Sequence, residues 1–491
     1  MRNGAQKRAL SEGMVSSFWF LPGLLTVGAF VLFGVTLNLE RLVPSDVSGL
    51  PLVFSGGSDA ARTVLSVISG SVMTVVATVF SLTIVALQLA SAAYSPRLLR
   101  NFTSDRGLQV VLGTYIGTFA YSLLVLRVIR TATGETEAFI PVISITTAVV
   151  LALVCVVLLV YFIHHIANLI QSSSIVSEAH ADAARSLAKL RTRERAPGGG
   201  APDGDTDPHP RFNGLLREKP LVVRSRASGY VQHLDGDSVL RAVAGGAEEM
   251  VVEIPCGPGH FVSAGLPLVQ VRPAPKGGLD RESAVHEAFF LGKERSFRQD
   301  FAFGLRQLSD IALKGVSPGV NDPTTSMQAM DRMEAILVAL GEKVMPPRVV
   351  EREVEACAIL LRVGYYDFDD VVGLAFDQLR RAAFASGQVA VLERLLQVLE
   401  RSLPANDLAV RQKALWDRAF AVGRMAPAQV PDPRDAVALA LRAVEVGAPL
   451  LETGLAARVG ADLEELDGFT EGLAGGERVR EAVQSARGAS D

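Results

Sequence analysis

Ser71, Thr74, Thr78, Ser81 and Gln88 follow one another at spacings of three, four, three and seven within Thr63 to Pro96, a stretch without a formal charge. On an α-helix this register places all five on one face, and Val85, Ala92 and Ser95 continue it. Hydrocarbon offers hydroxyls and amides no partner, so the stripe must face protein or water. If several copies surrounded a common axis, these groups would replace part of an ion's hydration shell and line a pore. From Ser71 to Gln88 the stripe rises ~25 Å at about 1.5 Å per residue, close to the hydrocarbon thickness. The alternative is a packing seam, in which hydroxyls bond their own helix carbonyls or neighbouring helices.

Basic residues flank the stripe. Arg62 precedes it and Arg97 and Arg100 follow it, so an oligomer would carry positive rings at both mouths and favour anions. Glu40, Asp46 and Asp59 share the outer connection and could neutralise Arg62, and lipid phosphates are ordinary partners of arginines at helix ends.

A second constellation lies in SPGVNDPTT. Ser317, Asn321 and Thr325, with Arg298 and Asp300 nearby in sequence, are candidates for a ligand or inter-subunit contact. Cap chemistry explains the same residue types, with Asp322 as N-cap, Pro323 at the first helical position, and Gly315 and Pro318 closing the preceding helix. Metal ligation is not expected. His164, His165 and His180 have no acid or cysteine at ligand spacing, and the DFDD run of Asp367, Asp369 and Asp370 reads as a helix start rather than a calcium loop. No phosphate-cradling glycine loop, nucleophile elbow or histidine-zinc motif occurs, so neither an enzyme nor a bound cofactor is expected.

The elements that must position these residues begin with four charge-free apolar runs, Phe18 to Leu39, Thr63 to Pro96, Leu108 to Leu126 and Ala138 to Ile163. Each meets the roughly 18 residues needed to cross a bilayer. In the third, Gly113 and Gly117 are four apart and permit close helix packing. Arg2, Lys7 and Arg8, then Arg97, Arg100 and Arg106, then Arg185 to Arg195 put most basic residues on one side, which the positive-inside rule makes the cytoplasm. Both termini are expected there. The isolated cysteines Cys155, Cys256 and Cys357 suit reduced thiols, and a net charge of -4 argues against a nucleic-acid partner.

The fold class expected is an α-helical four-span membrane domain followed by a cytoplasmic small β-barrel or sandwich and an α-helical domain. The spans occupy 1–172, and 173–195 extends the fourth helix. The Pro, Gly and Asp mixture of 196–215 reads as a flexible linker. Residues 216–278 carry short β-rich runs such as LVVRS and EMVVEI, and 279–491 is almost entirely helical by pattern.

Three stretches resemble a bacterial family of membrane proteins catalogued as domain of unknown function 2254. They are SLTIVALQLASAAYSPRLLRNF from Ser81, RQDFAFGLRQLSDIALKGVSPGVNDPTTSMQAMDRM from Arg298 and FDDVVGLAFDQLRR from Phe368. The resemblance implies this architecture and a bacterial inner (plasma) membrane, and assigns no activity. The reading carried forward is an oligomeric ion channel or transport protein, with the bilayer, further copies of the chain, and inorganic ions or a cytoplasmic ligand as partners. The rival is a membrane-anchored sensor or scaffold without conduction.

Overall fold

The computed structural model describes residues 19–42, 54–93, 105–131, 139–170, 172–192, 210–244, 248–275, 278–279, 281–346, 348–354 and 357–488. The chain divides into two compact units, Met1–Ser174 and Ile175–Asp491.

The first unit holds four helices long and apolar enough to cross a membrane: α1 (Phe20–Leu42), α2 (Ser58–Ala93), α3 (Arg106–Val128) and α4 (Val142–Ile170). Of these α3 is the most buried. Its glycines face α1: a Cβ on Gly113 would stand 2.8 Å from Pro22 Cα, and one on Gly117 3.4 Å from Ala29 Cβ. Tyr121 on α3 ties the bundle together, its hydroxyl 2.9 Å from Thr36 Oγ1 and 3.2 Å from the Ser144 carbonyl. Large apolar side chains cover the outside, among them Val27 and Val31 on α1 and Val157 and Val160 on α4. That exposure suits lipid and not water.

After α4 comes a separate helix, α5 (Ser172–Leu187); of the expected linker, 196–215, residues 196–209 lie outside the described residues, and Phe212 is buried. The strands are β1 (Leu221–Arg224), β2 (Gly229–Leu234), β3 (Glu249–Ile254), β4 (Phe261–Val262), β5 (Pro267–Arg272), β6 (Phe289–Gly292), β7 (Val349–Val354) and β8 (Cys357–Val363). They form an open five-stranded sheet, β1-β5-β3-β8-β7, and a three-stranded sheet, β4-β2-β6. No closed barrel is formed among the described residues. The stretch read as helical contributes β6, β7 and β8, and β8 runs parallel to β3 in the register Glu249↔Ala358 to Ile254↔Val363. VVEREV and CAILLRV carry the β-branched residues Val349, Val350, Val354, Ile359 and Val363, and the two pair as an antiparallel hairpin in the register Val349↔Arg362 to Val354↔Cys357. Val239, Leu240 and Val243 of α6 (Gly236–Val243) and Val285 of α7 (Glu282–Glu287) join the strands' buried side chains in one core.

The remaining helices are α8 (Ala302–Gly315), α9 (Pro323–Gly341), α10 (Phe368–Ala385), α11 (Val389–Ser402), α12 (Ala409–Gln429), α13 (Pro433–Gly447), α14 (Ala456–Thr470) and α15 (Glu477–Gly488). Their amphipathic faces bury Leu308, Met333, Phe376, Leu395 and Trp416. Close approach is set by glycine where α5 meets α8, since a Cβ on Gly304 would fall 2.2 Å from Ala183 Cβ.

Candidate functional site

On α2 two faces with seven-residue repeats run side by side. Leu65, Val72, Val79 and Ala86 are buried, and Val72 and Val79 pack with Leu108, Val111 and Tyr115 of α3 and Cys155 and Phe162 of α4. Ser71, Thr74, Thr78, Ser81 and Gln88 are all exposed. At about 100° per residue Ser71 and Thr78 stand a quarter-turn or so from Val72 and Val79, and Thr74, Ser81 and Gln88 lie further round the helix. Among the described residues no other span covers the stripe, while its threonines bond their own helix as the packing alternative expects. Thr74 Oγ1 donates to the Gly70 carbonyl at 2.9 Å and Thr78 Oγ1 to the Thr74 carbonyl at 3.1 Å. Each such hydroxyl spends its hydrogen on its own helix and leaves its lone pairs facing outward. Ser95 lies outside the described residues.

Arg97 and Arg100 also lie outside the described residues. Arg62 is described, and its Nη2 donates to the Ile129 carbonyl at 3.0 Å, where a cation complements the carboxyl end of α3. At the other end of α3, Asp105 is the N-cap, accepting from the Leu108 amide at 2.7 Å. The same Oδ1 stands 2.9 Å from His165 Nε2, and Tyr161 stacks on that imidazole at 5.2 Å. A Cβ on Gly107 would stand 2.6 Å from Tyr161 Oη and 3.0 Å from His165 Nε2, so a larger residue there would displace this pair. Sequence spacing found no acid for His165 because Asp105 comes from another helix, 60 residues away; the only readable signal was an aspartate just ahead of an apolar run.

In SPGVNDPTT each candidate side chain has a local partner. Asp322 caps α9 by accepting from the Thr325 amide at 3.0 Å, and its other oxygen accepts from Thr325 Oγ1 at 2.5 Å. Ser317 Oγ donates to the Lys314 carbonyl at 2.6 Å. Asn321 adopts φ +48, a left-handed conformation asparagine tolerates, and its side-chain oxygen accepts from Gln388 Nε2 at 2.7 Å. Asp300 is turned elsewhere: it is buried and takes two hydrogen bonds from Arg295, at 2.7 and 3.0 Å. The Arg298 carbonyl accepts from Lys189 Nζ at 3.4 Å, and its guanidinium adds to the burial that holds the His233 imidazole below its ordinary pKa.

Arg295 was not among the residues singled out from sequence, yet it organises this region. Its guanidinium lies 5.3 Å from the Phe303 ring centroid and 5.5 Å from that of Tyr366, whose other neighbour is His260, stacked at 4.4 Å. Gly259, at φ +89, has no room for a side chain, because a Cβ would fall 2.5 Å from Asp300 Oδ2. Burial holds the His260 imidazole below its ordinary pKa. Beside it opens a cleft of about 470 Å³ lined by Glu253, Arg348, Arg362 and Asp370. Its charges are matched internally: Arg348 pairs with Asp367 at 2.9 Å and with Asp370, and Arg362 with Glu253 at 2.9 Å. Burial pushes the neighbouring Cys256 thiol up, away from the thiolate a nucleophile would need.

The chain matches the family model described as "Predicted membrane protein (DUF2254)" over residues 15–401. An uncharacterized protein of Mycobacterium tuberculosis (strain H37Rv) is 31% identical over 469 residues, covering 93% of this chain and 84% of the relative. An uncharacterized protein of Mycobacterium bovis matches to the same extent, 31% over 469 residues. No solved structure matches the chain. Four candidate spans, the three stretches quoted above and the match over most of the chain lead to one conclusion: this is a membrane protein belonging to the DUF2254 family.

Proposed function

We propose that the protein is an oligomeric ion channel or transport protein of the bacterial inner membrane, with the α2 faces of several copies lining the pathway. The observation that carries this reading is the exposure of the polar stripe on the single chain, beside a buried seam that supplies packing of α2. Five polar side chains turned toward hydrocarbon are unfavourable; turned toward a shared water-filled axis they are solvated. The back-bonded Thr74 and Thr78 hydroxyls present lone pairs outward, which suits a cation. Arg62 is already engaged at the end of α3 and adds little to an anion-selective ring. The distribution of basic residues supports cytoplasmic termini and a cytoplasmic C-terminal unit that gates or assembles the spans. No enzymatic step is part of the proposal.

The test is flux of sodium, potassium and chloride into liposomes holding the full chain, beside a Thr78→Leu, Ser81→Leu double variant of equal folded yield. Cation flux that the variant loses is the expected result, and equal flux from both would refute the stripe as the pathway. The second reading, a membrane-anchored sensor, is favoured by the ligand-sized clefts of the C-terminal unit. No flux from the parent under any gradient would move the assignment to it.

A further inference from the structure

Within the C-terminal unit a cavity of about 310 Å³ opens between α10, α12 and α14. Arg380 of α10, Arg424 of α12 and Arg458 of α14 line it, with Asp417 the one acidic side chain in its wall. That carboxylate is already held from both sides, by Lys413 Nζ at 2.9 Å and Arg458 Nη2 at 2.9 Å. The wall is therefore cationic on balance.

Arg380 is the unusual member. Among the described residues no carboxylate lies within ion-pair distance of it, and its Nε is buried without a hydrogen-bond partner. One terminal nitrogen contacts Met425 Sδ, a thioether and a weak acceptor. Asp377, one turn earlier on α10, is engaged at 3.3 Å by Arg418, which also pairs with Asp369. Burial, with Arg381 and Arg418 nearby, holds the Arg380 guanidinium below its ordinary pKa despite Asp377. A half-buried cation in such surroundings is costly unless an anion completes it. Arg424 is free to turn inward, since its pair with Glu465 is exposed and long at 3.8 Å. Opposite the arginines the wall is apolar, formed by Phe420, Ala421 and Met425.

We infer that this cavity binds a small organic phosphate, its phosphoryl group held by Arg380, Arg424 and Arg458 and its body laid against Phe420 and Met425. Guanidinium groups match phosphate oxygens in bidentate geometry, and the volume falls in the range of small-molecule sites. A soluble nucleotide-like phosphate and the headgroup of a phosphatidate share this chemistry. The inference rests on the C-terminal unit alone and stands or falls separately from conduction.

Trp416 supplies the readout. Its ring packs on Phe420 at 5.9 Å, and its Nε1 donates to Asp462 Oδ2 at 2.7 Å, a carboxylate that Arg458 also approaches at 3.9 Å. The chain has two tryptophans, so Trp19→Phe leaves Trp416 alone. Full-length Trp19→Phe protein is titrated with adenosine monophosphate, with short-chain phosphatidate and with neutral adenosine. Saturable emission change with one or both phosphates and none with adenosine is expected, and whichever phosphate binds names the source. Arg380→Gln should weaken binding about tenfold or more while melting no lower than the parent. Arg424→Glu, at the exposed rim, should weaken it with melting unchanged. No saturable response to either phosphate, or binding unaltered in both variants, overturns the inference.

Discussion

Arg411 offers the sharpest test of how the C-terminal unit is held together. Its side chain is fully buried, and the guanidinium donates to the Leu340 carbonyl at 2.8 Å, the Lys343 carbonyl at 2.8 Å and Asn406 Oδ1 at 3.3 Å. It also lies 5.2 Å from the Phe368 ring centroid. Leu340 and Lys343 bracket the carboxyl end of α9, where the helix dipole favours a cation. Arg411→Met keeps much of the apolar stem but strips these carbonyls of a charged donor. Hydrogen bonds to a charged group contribute about 1.5–3 kcal/mol each, and part of the loss is offset because no charge need then be buried. The net cost comes to about 3 kcal/mol, which for a unit of this size lowers the midpoint by roughly 4 °C. Trp416 is buried on α12, the helix that carries Arg411, so its emission during heating reports the right element. Arg411→Lys should fall between parent and Met variant, because one ammonium cannot span both carbonyls. A methionine variant melting within about 1 °C of the parent would refute the assignment of Arg411 as the tie between α9 and α12.

Two further outcomes follow from geometry. Gly113→Ala should weaken the membrane bundle by about 1–3 kcal/mol through the clash with Pro22 and Leu25. Gly117→Ala, whose new carbon meets α1 only at 3.4 Å, should cost much less, and equal losses in detergent unfolding would contradict the packing of α1 on α3. Burial holds the imidazoles of His180, His233 and His260 below their ordinary pKa of 6.5. Below that pH the unfolded chain takes up protons first, so stability is full above about pH 6.5 and falls as the pH drops toward the folded values. His260→Gln should flatten that fall between about pH 7 and 5 in Trp416-monitored urea melts; an unchanged slope would remove His260 from the account.

The four spans were legible because hydrophobic length alone specifies them: Leu108 to Leu126 became Arg106–Val128, and Phe18 to Leu39 became Phe20–Leu42. Asp322 and Pro323 were legible for a different reason, since capping is decided within four residues. β7 and β8 pair with each other as a local hairpin, but VVEREV and CAILLRV show no alternation of apolar and polar residues, so the period-two signal of a strand is absent there. The other neighbour of Cys357–Val363 is Glu249–Ile254, on the far side of α8 and α9 in sequence, and no nearby signal announces a parallel partner. The candidate site divides in the same way. Periodicity gave the stripe on α2 but not its direction, which depends on which face α3 and α4 cover. Asp105 with His165, and Arg295 with Asp300, Tyr366 and Phe303, join residues that only the folded chain brings together.

Where polar groups are satisfied and where they are not separates structural from functional candidates. Asp300 and Arg411 are buried charged groups with well-formed partners, and such groups fix a fold without needing another molecule. The hydroxyls of Ser69, Ser122 and Ser144 are buried without a partner too, but a neutral hydroxyl can rotate toward its own helix carbonyl at small cost. Arg380 has no such recourse. Its guanidinium stays charged, the nearby Asp377 is already engaged by Arg418, and a half-buried cation whose Nε has no hydrogen-bond partner is costly to leave so. The α2 stripe makes a weaker version of the same demand, five neutral groups on a face that hydrocarbon would otherwise cover. The stripe of α2 and the cavity at Arg380 are the two places where the proposed ion path and the proposed phosphate would supply partners that the described residues do not.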